Sequence, residues 1–101
     1  MEFLVEFELN VPEGAPQSEV QDRENAEAAA AAKLADEGHL VRLWTVRVGP
    51  DQTRALGLYR ADSESELDAL LRALPLSDWM DVIITALGQH PNDPATARAT
   101  G

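Results

Sequence analysis

Two stretches of helical periodicity, about Ser18 to Glu37 and Ser63 to Leu74, each lie between stretches of strand periodicity. This order constrains the fold more than any single motif. Phe3, Val5, Phe7 and Leu9 alternate with Leu4, Glu6, Glu8 and Asn10, the period of a strand with one buried face. Pro12-Glu13-Gly14-Ala15-Pro16 is a loop. Ser18 is the expected N-cap of the first helix, with Gln21 three residues later, and Gly38 its stop. Leu40 to Val48 reads as a second strand, with one face Leu40/Arg42/Trp44/Val46/Val48 and the other Val41/Leu43/Thr45/Arg47. After the turn Gly49-Pro50-Asp51-Gln52, Thr53 to Arg60 reads as its hairpin partner. Ser63 and Glu66 form a capping box for the second helix. Leu67, Leu70, Leu71 and Leu74 make its apolar stripe, Pro75 ends it, and Met80 to Leu87 forms the last strand.

The order β-α-β-β-α-β predicts an α+β, ferredoxin-like domain: a four-stranded antiparallel sheet with two helices on one face. Residues 1–92 are expected to form the single domain. Residues 93–101 are small and polar and are expected to be a flexible C-terminal tail. The second and fourth strands carry apolar residues on both faces, Leu43 against Trp44 and Val82/Ile84 against Ile83/Leu87. Two helices cover one side of a sheet, so the other side calls for a second subunit, and a homo-oligomer is expected.

Charge and composition exclude several functions. Eighteen acidic against eight basic residues give a net charge of -10, which repels nucleic acid and anionic membranes. The chain has no cysteine, which removes thiol catalysis and thiolate metal sites. No apolar run approaches the ~20 residues of a membrane span. Met1-Glu2-Phe3 does not begin a signal peptide, and a cytoplasmic location is expected. No metal-ligand spacing and no phosphate-binding glycine loop occurs, so no metal and no cofactor are expected.

Val20, Glu24, Glu27, Ala31, Leu34 and Gly38 share one face of the first helix. Two carboxylates on an otherwise small and apolar stripe point to acid-base chemistry, because poor solvation raises a carboxyl pKa and makes it a better base near neutral pH. Arg23, one turn from Glu27, is placed to pair with it or to bind an anionic substrate. The ordinary alternative is a pair of solvated glutamates at a helix edge. Trp44 beside Arg42 suits a planar anion, or core or interface packing. Asp81, next to Trp79 at the entry of the last strand, is a second candidate carboxylate, or a charge bonded to loop amides. His90, held extended by Pro91, suits proton transfer or a surface turn. His39 is expected to interact with the end of the first helix.

These segments together resemble the muconolactone delta-isomerase family. The likeness rests on Met1-Glu2-Phe3-Leu4-Val5, the helix with Glu27, Glu37-Gly38 leading to Arg42-Leu43-Trp44, Leu74-Pro75-Leu76, Trp79-Met80-Asp81 and His90-Pro91, and spans about residues 1 to 93. The resemblance implies ferredoxin-like subunits that assemble into large homo-oligomers, decamers in the best-known case, and work without a cofactor. It implies a double-bond shift in a carboxylated butenolide, from muconolactone to the 3-oxoadipate enol-lactone, in the breakdown of catechol-type aromatics. A proton is taken beside a carbonyl-conjugated system and returned to a vinylogous carbon. By this resemblance Glu27 is the base, Arg23 or Arg42 holds the substrate carboxylate, and Trp44, Trp79, Asp81 and His90 are further substrate-binding candidates. The chain departs from the family pattern at Thr45, where a basic residue is common, and over Gly49 to Gly57, which lacks the usual aromatics and Asn. Two alternatives remain open: an isomerase or cyclase of secondary metabolism with another substrate, and a non-catalytic oligomeric small-molecule-binding module.

Overall fold

The computed structural model describes residues 1–95. The strands are β1 (Glu2–Leu9), β2 (Leu40–Gly49), β3 (Gln52–Arg60) and β4 (Met80–Leu87), and the helices are α1 (Gln17–Asp36) and α2 (Glu64–Arg72). They form one four-stranded antiparallel sheet of order β2-β3-β1-β4 with two helices, the ferredoxin-like arrangement. Most of the expected tail, residues 96–101, lies outside the described residues. At its start Asp93 Oδ1 accepts a hydrogen bond from the Ala95 N–H at 3.0 Å.

Strand alternation decides where the core sits. Phe3, Val5 and Phe7 are buried on one face of β1. Residues paired across an antiparallel sheet share a face, so Tyr59 opposite Phe3, and Val82 and Ile84 opposite Phe7 and Val5, fall on that side. From the helices Leu34, Leu67 and Leu71 close over it, with Leu74 just beyond α2. The opposite face carries Glu2, Leu4, Glu6 and Glu8, joined across the ladder by Leu56, Leu58 and Ile83.

Three departures from the sequence expectation shape the region around the helices and β2. First, α1 starts at Gln17, and its N-cap is Pro16, with no side-chain cap bond. Proline already holds a φ of -61°, and its carbonyl accepts from the Val20 N–H at 3.1 Å, so Ser18 falls inside the helix instead of capping it. Second, α2 ends at Arg72, two residues before Leu74, and a 3-10 turn (Ser77–Trp79) follows Pro75. Third, β2 contains a bulge: Leu40 pairs with Tyr59 and Arg42 with Leu58, which leaves Val41 as the extra residue. Leu40 therefore packs against the core and Arg42 and Trp44 do not, although simple alternation put all three on one face.

Two other helix ends match their chemistry. Ser63 Oγ accepts from the Glu66 N–H at 3.1 Å and caps α2. Gly38 has a φ of 83°, the left-handed conformation that ends α1, and the following His39 N–H returns to the Leu34 carbonyl at 2.9 Å. The His39 ring does not stay with α1; its Nδ1 lies 2.8 Å from the Arg60 carbonyl oxygen in β3. Among the described residues no helix is long and apolar enough to cross a membrane.

Candidate active site

Between α1 and the helix-covered face of the sheet lies a cleft of about 420 Å³, a size that suits a small organic ligand. Its helix wall is Glu24, Glu27, Ala28 and Ala31. The alanines leave room that larger side chains would fill. Phe7 and Tyr59 form the inner wall, while Leu43 and Thr45 of β2 and Thr53 and Ala55 of β3 lead to the open edge. Leu43 is half exposed there. Leu76 and Met80 close the side towards β4.

Glu27 is the half-buried carboxylate of this cleft. Its Oε1 accepts from the Leu76 N–H at 3.0 Å, a bond across 49 positions of sequence. That amide is free to donate because Pro75 has ended the helical hydrogen-bonding pattern. Burial pushes the Glu27 carboxyl above its ordinary value, and the Leu76 bond, which favours the charged form, opposes this only in part. A carboxylate in this state is a stronger base than one in water and is fixed in orientation. Glu24, one turn earlier, lines the same cleft from an exposed position. The Tyr59 hydroxyl is pushed up to about 12, first by burial and then by the negative charge of Glu27.

The remaining sequence candidates are placed elsewhere. Arg23 does not pair with Glu27. Its Nη2 lies 3.4 Å from Glu19 Oε1, its Nη1 donates to the Pro75 carbonyl at 3.1 Å, and its guanidinium stacks 4.2 Å above the Trp79 ring. Trp79 offers that cation an aromatic face and Pro75 a carbonyl, two partners that i,i+4 spacing within the helix could not reveal. Trp79 itself is buried, and neither it nor Arg23 lines the cleft. Arg42 lies over Trp44 at 5.2 Å on the opposite side of the sheet, where the bulge sends both. Asp81 is exposed beside Glu8 in the β1–β4 ladder and accepts from Asn10 Nδ2 at 3.0 Å. His90 is exposed, and its Nδ1 accepts from the Asn92 N–H at 2.9 Å in a surface turn.

Sequence reasoning passed over Tyr59, which it noted only within the third strand, Thr53 to Arg60. Arg54 also reaches the cleft, but its guanidinium is held 3.3 Å from Glu6 and 3.3 Å from Glu8. Among the described residues no group of three or more His, Asp or Glu side chains is arranged to hold a metal ion. The departures at Thr45, Thr53 and Ala55 all fall on the cleft wall.

Comparison with known proteins points to one family. The family model described as muconolactone delta-isomerase matches residues 1–93. A muconolactone delta-isomerase of Cupriavidus pinatubonensis is 33% identical over 92 residues, covering 91% of this chain and 97% of that protein. Muconolactone delta-isomerase 1 of Acinetobacter lwoffii is 30% identical over 95 residues, covering 91% and 93%. A crystal structure of muconolactone isomerase superposes with a TM-score of 0.81 at 24% identity, covering 93% of this chain and 95% of that one.

Proposed function

The chain belongs to the muconolactone delta-isomerase family, and we propose that it shifts a double bond in a small unsaturated lactone by proton transfer through Glu27. The observation that carries this reading is the Glu27 carboxylate: half-buried in a ligand-sized cleft, raised in pKa, and oriented by the Leu76 amide. Glu27 takes a proton from the saturated ring carbon at the end of the C=C–C=O unit. The C–H electron pair moves into the conjugated system and places negative charge on the carbonyl oxygen. The protonated Glu27 then gives the same proton to the carbon beside the carbonyl. One group serves as base and then as acid, the product is an isomer of the substrate, and no cofactor is consumed.

Muconolactone, a carboxylated lactone, is the substrate to test first. Arg23 and Arg42 are the cations proposed for its carboxylate, and both are engaged outside the cleft in this structure. A second reading keeps the chemistry and changes the ring. It is favoured by Thr45, Thr53 and Ala55, which stand on the cleft wall at positions where the chain leaves the family pattern. We also propose self-association through the uncovered sheet face, where Trp44, Ile83 and Leu87 are exposed.

Ultraviolet monitoring of muconolactone with purified protein tests the reading. Turnover is expected, with a loss of about 100-fold or more in Glu27→Gln, the usual weight of a positioned acid-base group. Turnover that survives this change would exclude Glu27 as the base. No turnover by the wild type would shift the choice to the second reading.

A further inference from the structure

Proton abstraction by Glu27 leaves a demand unmet. As the C–H electron pair enters the conjugated system, negative charge collects on the ring carbonyl oxygen, and a largely apolar cleft stabilises it only if a donor is aimed there. We propose that the Tyr59 hydroxyl is that donor, so that Tyr59 and Glu27 form the oxyanion-holding and proton-transferring halves of one site. The inference rests on the proton-transfer reading given above.

Three observations support it. Tyr59 lines the same cleft as Glu27 and is only 3% exposed, so its hydroxyl meets little competition from bulk water. Its ring is laid along β3 over Gly57: a Cβ at residue 57 would stand 2.5 Å from Tyr59 Cε2 and 3.2 Å from Cδ2. Only a residue without a side chain gives the ring this seat. The Phe7 ring packs against it at a centroid distance of 6.1 Å and an angle of 60°, so the phenol ring is held in place by packing. Finally, Glu27 and Tyr59 stand on the walls of one cleft, and the negative charge of Glu27 is the smaller of the two causes that raise the Tyr59 hydroxyl.

Burial and that neighbouring charge push the phenol up to about 12, so it stays protonated across the neutral range in which Glu27 works as a base. Tyr59 therefore acts as a hydrogen-bond donor and keeps its own proton throughout. The proton that moves goes from ring carbon to Glu27 and back to ring carbon. Tyr59 strengthens its hydrogen bond while the dienolate exists and relaxes when the new C–H bond forms, which lowers the barrier without changing the atom balance.

The test has two arms. In turnover, Tyr59→Phe keeps the ring and its packing, so the thermal midpoint should hold. Its kcat should fall roughly 100-fold, as for loss of one oxyanion donor, with KM nearly unchanged. A kcat within a few-fold of wild type would overturn the proposal. The second arm needs no turnover. 4-Nitrophenol is titrated into Glu27→Gln, where the half-buried Glu27 charge no longer opposes its anion, and the visible absorbance reports the ionised form. Glu27→Gln should bind the phenolate, and adding Tyr59→Phe should weaken binding roughly 10- to 100-fold, the worth of a hydrogen bond to a charged group. Equal binding by both variants, or none by Glu27→Gln, would also overturn it. A wild type that leaves muconolactone untouched removes the substrate reading, and the phenolate titration then decides on Tyr59 alone.

Discussion

Glu27 is desolvated by the cleft it lines and steadied by one hydrogen bond from Leu76, and desolvation is the larger effect. Its folded-state pKa therefore lies above the ordinary 4.5. The sign of the stability effect follows. The folded state holds this proton more tightly than the unfolded state, so the neutral carboxyl supports folding below the unfolded pKa. That support is lost as pH rises through the raised folded value. Activity runs the other way, because the base must be ionised. kcat/KM is expected to climb through the raised Glu27 pKa and then level off. Glu27→Gln should match the wild type in thermal midpoint at acidic pH. At neutral pH it should be more stable by about 1 kcal/mol or less, as befits a partly exposed charge. Thermal denaturation across that range, beside a pH-rate profile of the wild type, checks both statements. A Glu27→Gln protein less stable at neutral pH would mean that the Leu76 bond outweighs desolvation. Sequence spacing revealed that Glu24 and Glu27 share a helix face. It could not reveal the Leu76 amide, which comes from a distant segment, nor that Glu19, Pro75 and Trp79 would take Arg23 away from Glu27.

Most elements were legible where their signals were local, the Ser18 cap being an exception. The Ser63 cap, the left-handed Gly38 and the alternation of β1 each need only neighbouring residues. The bulge at Val41 needed knowledge of the partner strand, and its effect is large, because it sends Leu40 into the core and Arg42 and Trp44 to the far face. The role of Gly57 was hidden for a different reason: it depends on the direction the Tyr59 ring takes along its own strand. Inside a strand a glycine reads as a weak point, yet here it is the seat of the Tyr59 ring. Gly57→Ala would place a Cβ 2.5 Å from Tyr59 Cε2 and 3.4 Å from Leu43 Cδ1. The ring is confined by Phe7 and cannot move freely, so the substitution is an overpacking of the core side of β3. A loss of about 1–3 kcal/mol is expected in urea denaturation. If Tyr59 acts as proposed, kcat should fall together with stability, since the displaced ring carries its hydroxyl away from the cleft. Unchanged stability would show that the Tyr59 ring finds another seat.

The whole molecule presents two unlike sheet faces. One is closed by α1 and α2 except at the cleft, where Leu43 stays half exposed. The other has no helix over it, and Trp44, Ile83 and Leu87 stand on it at 39%, 57% and 42% exposure. Several charges on that face are held within the chain: Arg54 pairs with Glu6 and Glu8, Arg60 with Glu2, Arg42 lies over Trp44, and Asp81 accepts from Asn10. What it offers a neighbour is therefore mainly apolar area, and a second copy of the same face matches it in chemistry. The two-sided apolar pattern of β2 and β4 made this readable from sequence, whereas a net charge of -10 gives no hint of it. Sedimentation at micromolar concentration should show a species larger than the monomer, and a monomeric profile would reject self-association. Ile83→Lys makes the sharper test. Position 83 pairs directly with Glu6 in the β1–β4 ladder, so a lysine there gains a cross-strand partner and leaves the subunit fold intact. In an assembly the same lysine would carry a charge into the apolar contact, at a cost large enough to separate the subunits. The expected result is a folded monomer by circular dichroism and sedimentation. A variant that still assembles would place the subunit contact elsewhere.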